Sequence, residues 1–321
     1  MSARCDARLT TMSRLAADLD LVAQQLNTYF AARLGLPAPF AALAQDAPAL
    51  VAAVCQIQRD CGHLLADGIL GPKTRAYLQG EAQIIPQAST GYLIVDTKRC
   101  PTPFATTCFD QAHGLSFLDQ PGWQPRDAPK GDQIDLCVLH WDECISSTHC
   151  FGVLLHRGLS VHLMLDADGM VYQALDLAFA RAYHARIHNE RSVGIEIQNA
   201  VLSREPQAPR ARRGWLEEIL PHTQTIFGHL DFTDAQKRTI TKLVPWLCET
   251  LHIPKKLPTD ALGQVVCGIC PQPFVGVCGH YHLQTDKVDP GASLWPLLAP
   301  VMQAYAPIAA GSGPNAPGEL S

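Results

Sequence analysis

The first apolar pattern is helical. Leu15, Leu19, Val22, Leu26 and Phe30 recur at three- and four-residue intervals, which predicts an amphipathic helix over residues 13–34, stopped by Gly35 and Pro37. A second helix is predicted over 47–61. Asp67-Gly68 then makes a turn, and Pro72 stands where a third helix can begin. Between 82 and 132 periodicity disappears and Pro86, Pro101, Pro103, Pro121, Pro125 and Pro129 punctuate the chain, predicting a linker or a loop-rich edge. From Asp135 onward short apolar runs alternate with turns. Residues 136–139, 161–165, 170–174 and 193–197 read as strands, with Asp166-Ala167-Asp168-Gly169 as a hairpin turn between two of them. Thr233 is a candidate N-cap for a helix with the stripe Ile240, Leu243, Val244, Leu247 and Leu251, closed by Pro254. One more strand over 274–278 and a last helix over 295–305, interrupted by Pro296 and Pro300, complete the ordered pattern. The Gly/Pro/Ala/Ser tail over 306–321 is expected to be disordered.

Strands alternating with helices after a purely helical start predict an α/β fold: a mixed central β-sheet flanked by helices, preceded by a small all-helical domain. The boundaries drawn are 1–82 for the helical domain, 83–130 for the linker or loop-rich edge and 131–305 for the sheet domain. At 321 residues the chain has room for both. Apolar residues make up 47% and charged residues 17%, a globular balance, and a net charge of −5 argues against a nucleic-acid partner held through phosphates. No run reaches the roughly 18 apolar residues of a membrane span, and the N-terminus has no uninterrupted apolar core of a standard signal peptide. The expectation is therefore a soluble chain that acts in the cytoplasm or reaches its target by a non-classical route. Twelve cysteines are scattered along it, the tightest group being Cys267, Cys270 and Cys278. No second Cys-x-x-Cys completes a metal knot, so these read as ordinary thiols or one local disulfide.

Candidate chemistry gathers at strand ends. His140 ends the apolar run 136–139. Val277-Cys278-Gly279-His280 ends another, and Asp289 follows inside Lys287-Val288-Asp289-Pro290-Gly291. Two imidazoles and one carboxylate leave a tetrahedral zinc ion an open position for water, the catalytic pattern rather than the structural one. His282, two residues beyond His280, is the alternative ligand in that segment. Glu196 lies between Ile195 and Ile197, where alternation turns it away from both.

Leu139-His140-Trp141, Ser160 to Gly169, Tyr183-His184-Ala185, Ser192 to Asn199, Phe232 to Gln236 and Gly279-His280 with Lys287 to Gly291 occur in an order that resembles the zinc-dependent N-acetylmuramoyl-L-alanine amidases. These are the type-2 amidases, related to phage amidase lysozymes and peptidoglycan recognition proteins. The resemblance covers residues 131–304. It implies a peptidoglycan hydrolase that cleaves the amide between the lactyl group of N-acetylmuramic acid and L-alanine of the stem peptide. It further implies Zn²⁺ on His140, His280 and Asp289, with Glu196 moving protons and Lys287 steadying developing charge. His184, His162 and Trp141 are expected near the cleft, against the sugar or peptide. Orientation of a zinc ligand is the other role open to the two histidines. His149, His156, Cys144 and Cys150 receive no role. Gln56-Ile57-Gln58 and the Asp67-Gly68-x-x-Gly71-x-x-Thr74 signature resemble the three-helix peptidoglycan-binding domain appended to many cell-wall hydrolases. Three rivals differ in setting: a recognition module that binds muropeptides without cutting them, a cytoplasmic recycling amidase, and a toxin or phage lysin. Retention of the third ligand, Asp289, favours an enzyme over the first.

Overall fold

The computed structural model describes residues 3–61, 64–79, 89–111, 113–126, 134–199, 213–219, 226–260, 262–266, 268–270 and 273–303. Helices α1 (Ala3–Leu34), α2 (Ala47–Cys61) and α3 (Pro72–Leu78) come first. They are followed by strands β1 (Tyr92–Val95), β2 (Lys98–Pro101), β3 (Thr106–Cys108), β4 (Trp123–Pro125) and β5 (Leu136–Trp141), and then by helix α4 (Ser147–His156). Strands β6 (Leu163–Leu165), β7 (Val171–Gln173), β8 (Ala180–Ala182), β9 (Ser192–Ile197), β10 (Trp215–Ile219) and β11 (Ile226–Leu230) precede α5 (Asp234–Thr250), β12 (Gly276–Gly279) and α6 (Trp295–Gln303).

The central sheet has the order β12-β5-β9-β6-β7-β3. Its pairings are parallel except for the β6–β7 hairpin, so the expected mixed sheet is present. Every residue of β5 is buried, as a strand with parallel neighbours on both sides and helices over both faces must be. Alternation sorts its side chains. Cys137, Leu139 and Trp141 join Val193, Ile195 and Ile197 of β9 in the core beneath α5 and α6, while Leu136 and Val138 face the opposite side. Helix α5 begins at the expected Thr233, whose hydroxyl accepts from the Gln236 amide while the Gln236 side chain accepts from the Thr233 amide, a capping box.

The helical N-terminus is fastened to the sheet domain. Val22, Leu26 and Phe30 of α1, with Val51 and Ile69, share one core with Cys150, Phe151 and Leu154 of α4 and with Met164 and Tyr172 of the sheet. Burying a large apolar side chain of this kind contributes about 1.5–3 kcal/mol. Lys73 adds ion pairs of 2.8 Å to both Asp166 and Asp168 in the β6–β7 turn. The polar residues of the Asp-Gly signature are turned inward: Gln58 Nε2 donates to Asp67, to the Ile69 carbonyl and to Thr74, and Gln58 Oε1 accepts from the Gly68 amide.

The described residues of the segment expected to be a linker or loop-rich edge, 83–130, supply β1 to β4, and β3 forms one edge of the central sheet. After His140, where the sequence pattern predicts no element, stands α4, capped by Ser146, whose hydroxyl accepts from the His149 amide at 3.1 Å. Cys267 and the tail over 306–321 lie outside the described residues, so the Cys267–Cys270 pairing does too.

Candidate metal centre

Three adjacent parallel strands bring the chemistry together. In the β5–β9 register His140 lies opposite Glu196, and in the β12–β5 register Gly279 lies opposite Leu139, so His280 follows one step later beside His140. Side chains of laterally paired residues point to the same face, so the row projects from the ends of the strands on the α4 side of the sheet. The ends of parallel strands are where open α/β sheets place their ligands. Asp289 reaches the row through a short return. The Tyr281 amide donates to the Asp289 carbonyl at 3.1 Å, and the loop that follows is held by Glu218 of β10, whose carboxylate accepts from the Ala292 and Ser293 amides.

The three predicted ligands converge. His140 Nδ1 is 3.0 Å from His280 Nδ1 and 3.0 Å from Asp289 Oδ2, and His280 Nδ1 is 3.1 Å from the same oxygen. Three atoms each about 2.0–2.1 Å from one tetrahedral zinc ion would lie roughly 3.3 Å apart, so this triangle needs only slight widening. All three residues are buried. Burial, and then neighbouring His280, push the His140 imidazole down to about 4 against the pull of Asp289. Burial works to raise the Asp289 carboxyl, but hydrogen bonds from His140 and His280 outweigh it and hold it below the usual carboxylate range. At neutral pH His140 is thus an uncharged imidazole and Asp289 a carboxylate, the protonation states a cation requires of them. The residues fit a zinc ion.

Glu196 stands beside this set, half-buried, with Oε2 enclosed and without a hydrogen-bond partner. Burial raises its carboxyl well above the ordinary range, and the Asp289, Asp142 and Glu143 carboxylates add to the rise, with Lys287 opposing. Lys287 is half-buried, and its charge is felt at Glu196 and at His140.

The three residues expected near the cleft, His184, His162 and Trp141, have different surroundings. His162 is fully buried, its Nδ1 accepting from the Gly194 amide at 3.1 Å and its Nε2 paired with the Ala180 carbonyl at 3.0 Å, which leaves no ring atom for a substrate. Trp141 is buried on the α5 side against Phe227 and His229. His184 lies behind His140, its Nδ1 3.0 Å from His140 Nε2. The alternative ligand His282 is spent on backbone, its Nδ1 accepting from the Gly279 amide and its Nε2 2.8 Å from the Val266 carbonyl. Sequence reading overlooked Asp142, which ties the end of β5 to β9 by accepting from the Cys144 and Asn199 amides. It also overlooked Glu218. Asp142 directly follows the His140-Trp141 pair and could have been noticed, whereas nothing near Glu218 in sequence announces its partners seventy residues away.

The class of protein that this arrangement defines is one with a mixed α/β sheet carrying a two-imidazole, one-carboxylate set that could hold a metal ion, beside a half-buried glutamate. The family profile of N-acetylmuramoyl-L-alanine amidases matches residues 130–292, half of the chain, and the chain belongs to that family. Solved structures similar to it include a selenomethionine derivative of AmpD, 18% identical over 57% of this chain and 90% of that one, with a TM-score of 0.33. AmiD from E. coli, an N-acetylmuramyl-L-alanine amidase seen with an anhydro-N-acetylmuramic acid peptide, is 17% identical over 66% of this chain and 65% of its own, with a TM-score of 0.37. Drosophila peptidoglycan recognition protein SA is 14% identical over 62% of this chain and 91% of its own, with a TM-score of 0.34. No curated protein matches the chain. Among the described residues no helix is long and apolar enough to cross a membrane.

Proposed function

We propose that this chain is a zinc-dependent peptidoglycan hydrolase that cleaves the amide between the lactyl group of N-acetylmuramic acid and L-alanine of the stem peptide. The observation that carries the reading is the 3.0–3.1 Å triangle of His140 Nδ1, His280 Nδ1 and Asp289 Oδ2 beside the unpartnered Glu196 Oε2, in a chain of the amidase family. His140, His280 and Asp289 would hold a zinc ion, which would supply a Lewis acid and lower the pKa of water bound to it to about 7. Glu196 accepts the proton of the attacking water and returns one to the departing amine of L-alanine, a task for which a raised carboxyl is suited. The Lys287 ammonium supplies positive charge where the scissile carbonyl oxygen becomes negative.

The N-terminal helices are assigned to the polymer, on the resemblance of their Asp-Gly signature to a peptidoglycan-binding domain. Because that signature's polar groups are engaged internally, glycan contact falls to the outer surface of the module. A recognition module that binds without cutting is the second reading, and the presence of Asp289 weighs against it. Digestion of purified sacculi decides between them. Stem peptides with a free L-alanine amino terminus are expected by mass spectrometry, lost on chelation and restored by added zinc. Retention of intact muropeptides on the protein, with no released peptide under zinc, would establish the second reading instead.

A further inference from the structure

We infer that His184 is a positioning residue for the metal ligand His140, a role that rests on the zinc site proposed above and goes beyond it. An imidazole that offers Nδ1 to a cation keeps its proton on Nε2, and that N–H, buried here, needs an acceptor. His184 Nδ1 lies 3.0 Å from His140 Nε2. Accepting there fixes the His184 proton on its own Nε2, which is 3.1 Å from Ser192 Oγ on β9. The chain of bonds therefore runs from the cation site through two rings to a strand hydroxyl, and each link has one consistent direction.

Three independent features hold the His184 ring where this chain needs it. The amides of His184 and Ala185 both donate to Asn189 Oδ1, at 3.1 and 2.6 Å, which pins the backbone on either side. The ring lies over Gly194, where a Cβ would come within 2.6 Å of His184 Nδ1 and 2.7 Å of Cε1, so only glycine leaves room. His162 packs edge-on behind it with ring centres 5.8 Å apart, itself locked by two backbone contacts. A ring confined on these sides is suited to orienting its neighbour, and it is held behind His140 rather than toward an incoming substrate.

The test is the zinc dissociation constant of the full-length protein, measured by competition with a chromophoric chelator. His184→Phe keeps the ring and removes the acceptor, and it is expected to weaken zinc binding about 10- to 100-fold. His184→Asn places an amide oxygen near the position of Nδ1 and is expected to recover most of that loss. Thermal unfolding of the metal-free variants reports whether folding itself is damaged. Should His184→Phe fail to fold, Gly194→Ala, which displaces the ring, is expected to weaken zinc binding in the same direction. Wild-type zinc affinity in the folded His184→Phe or Gly194→Ala variant overturns the inference. So does a raised KM for a muropeptide at unchanged zinc affinity, which would make His184 a substrate contact. Failure of the wild-type chain to bind zinc would instead remove the site itself, so the two failures are distinguishable.

Discussion

Gly152, in the middle of α4, tests whether the N-terminal helices fold as one body with the sheet domain. An alanine in a helix interior is ordinarily better than glycine by about 1 kcal/mol, so on an open surface Gly152→Ala would stabilise. Here a Cβ would lie 2.6 Å from Val22 Cγ1 and 2.8 and 2.9 Å from Leu26 Cδ1 and Cγ, all on α1. Overpacking of that kind costs about 1–3 kcal/mol, so the variant should come out between neutral and about 2 kcal/mol less stable. Leu26 is fully buried, and Leu26→Ala alone should cost about 2–5 kcal/mol. In the double variant the new methyl partly fills the space vacated by Leu26, while the Val22 contact remains. The combined loss should therefore fall short of the sum by roughly 0.5–3 kcal/mol, the range seen for residues in contact. Urea unfolding of the full chain and its three variants measures all four terms. Stabilisation by Gly152→Ala, with costs that add to within about 0.5 kcal/mol, would mean that α1 does not pack on α4 and would refute the reasoning.

Other outcomes follow from the site and its surroundings. Glu196→Gln should lower amide hydrolysis about 10²–10⁴-fold with zinc affinity preserved, as turnover and chelator competition together would reveal; a loss of zinc would assign Glu196 to the ligand set. Lys287→Ala should reduce kcat about 10²–10³-fold, and an unchanged kcat would take the ammonium out of charge stabilisation. His149 is buried, neither of its ring nitrogens has a partner, and burial pushes it down to about 4. Its unfolded value near 6.5 lies higher, so the unfolded chain takes up a proton first as pH falls. Stability is therefore lost between about pH 6.5 and 4, by about 3 kcal/mol from this residue, and His149→Leu should flatten the fall in urea midpoints over that window. Identical slopes for wild type and variant would contradict the burial argument.

The elements legible in the sequence are those whose pattern is local and whose burial is one-sided or complete. The Thr233 cap, the α5 stripe, α2 over its whole length and the apolar runs of β5 and β9 were all readable for that reason. Strands of three or four residues such as Lys-Arg-Cys-Pro in β2 or Thr-Thr-Cys in β3 carry too few positions to show alternation, and they depend on pairing partners far along the chain. Helix α4 escaped because its face toward α1 and its face toward the sheet are both apolar, which erases the stripe. At the site, His140, His280 and Glu196 could be named because each ends or sits on a recognisable run, whereas Asp289 lies in a loop and was named from the Lys287–Gly291 segment. What Trp141, His162 and His184 touch is decided by which face of the sheet each meets, and for loop residues such as His184 that is a matter of packing. No period in the sequence encodes it.

The row of side chains also sets a schedule. Its strands come from residues 136–141, 192–197 and 276–279, and the strand that leads into His280 pairs, among the described residues, with β5 alone, at the margin of the sheet. His280 and Asp289 therefore leave the ribosome only after His140 and Glu196 have been made, and the last two donors meet the first once β12 has joined β5. Until then a growing chain carries one imidazole and one carboxyl side by side, too few to capture an ion. A fragment that stops before β12 would thus keep the middle of the sheet and lack two of the three donors.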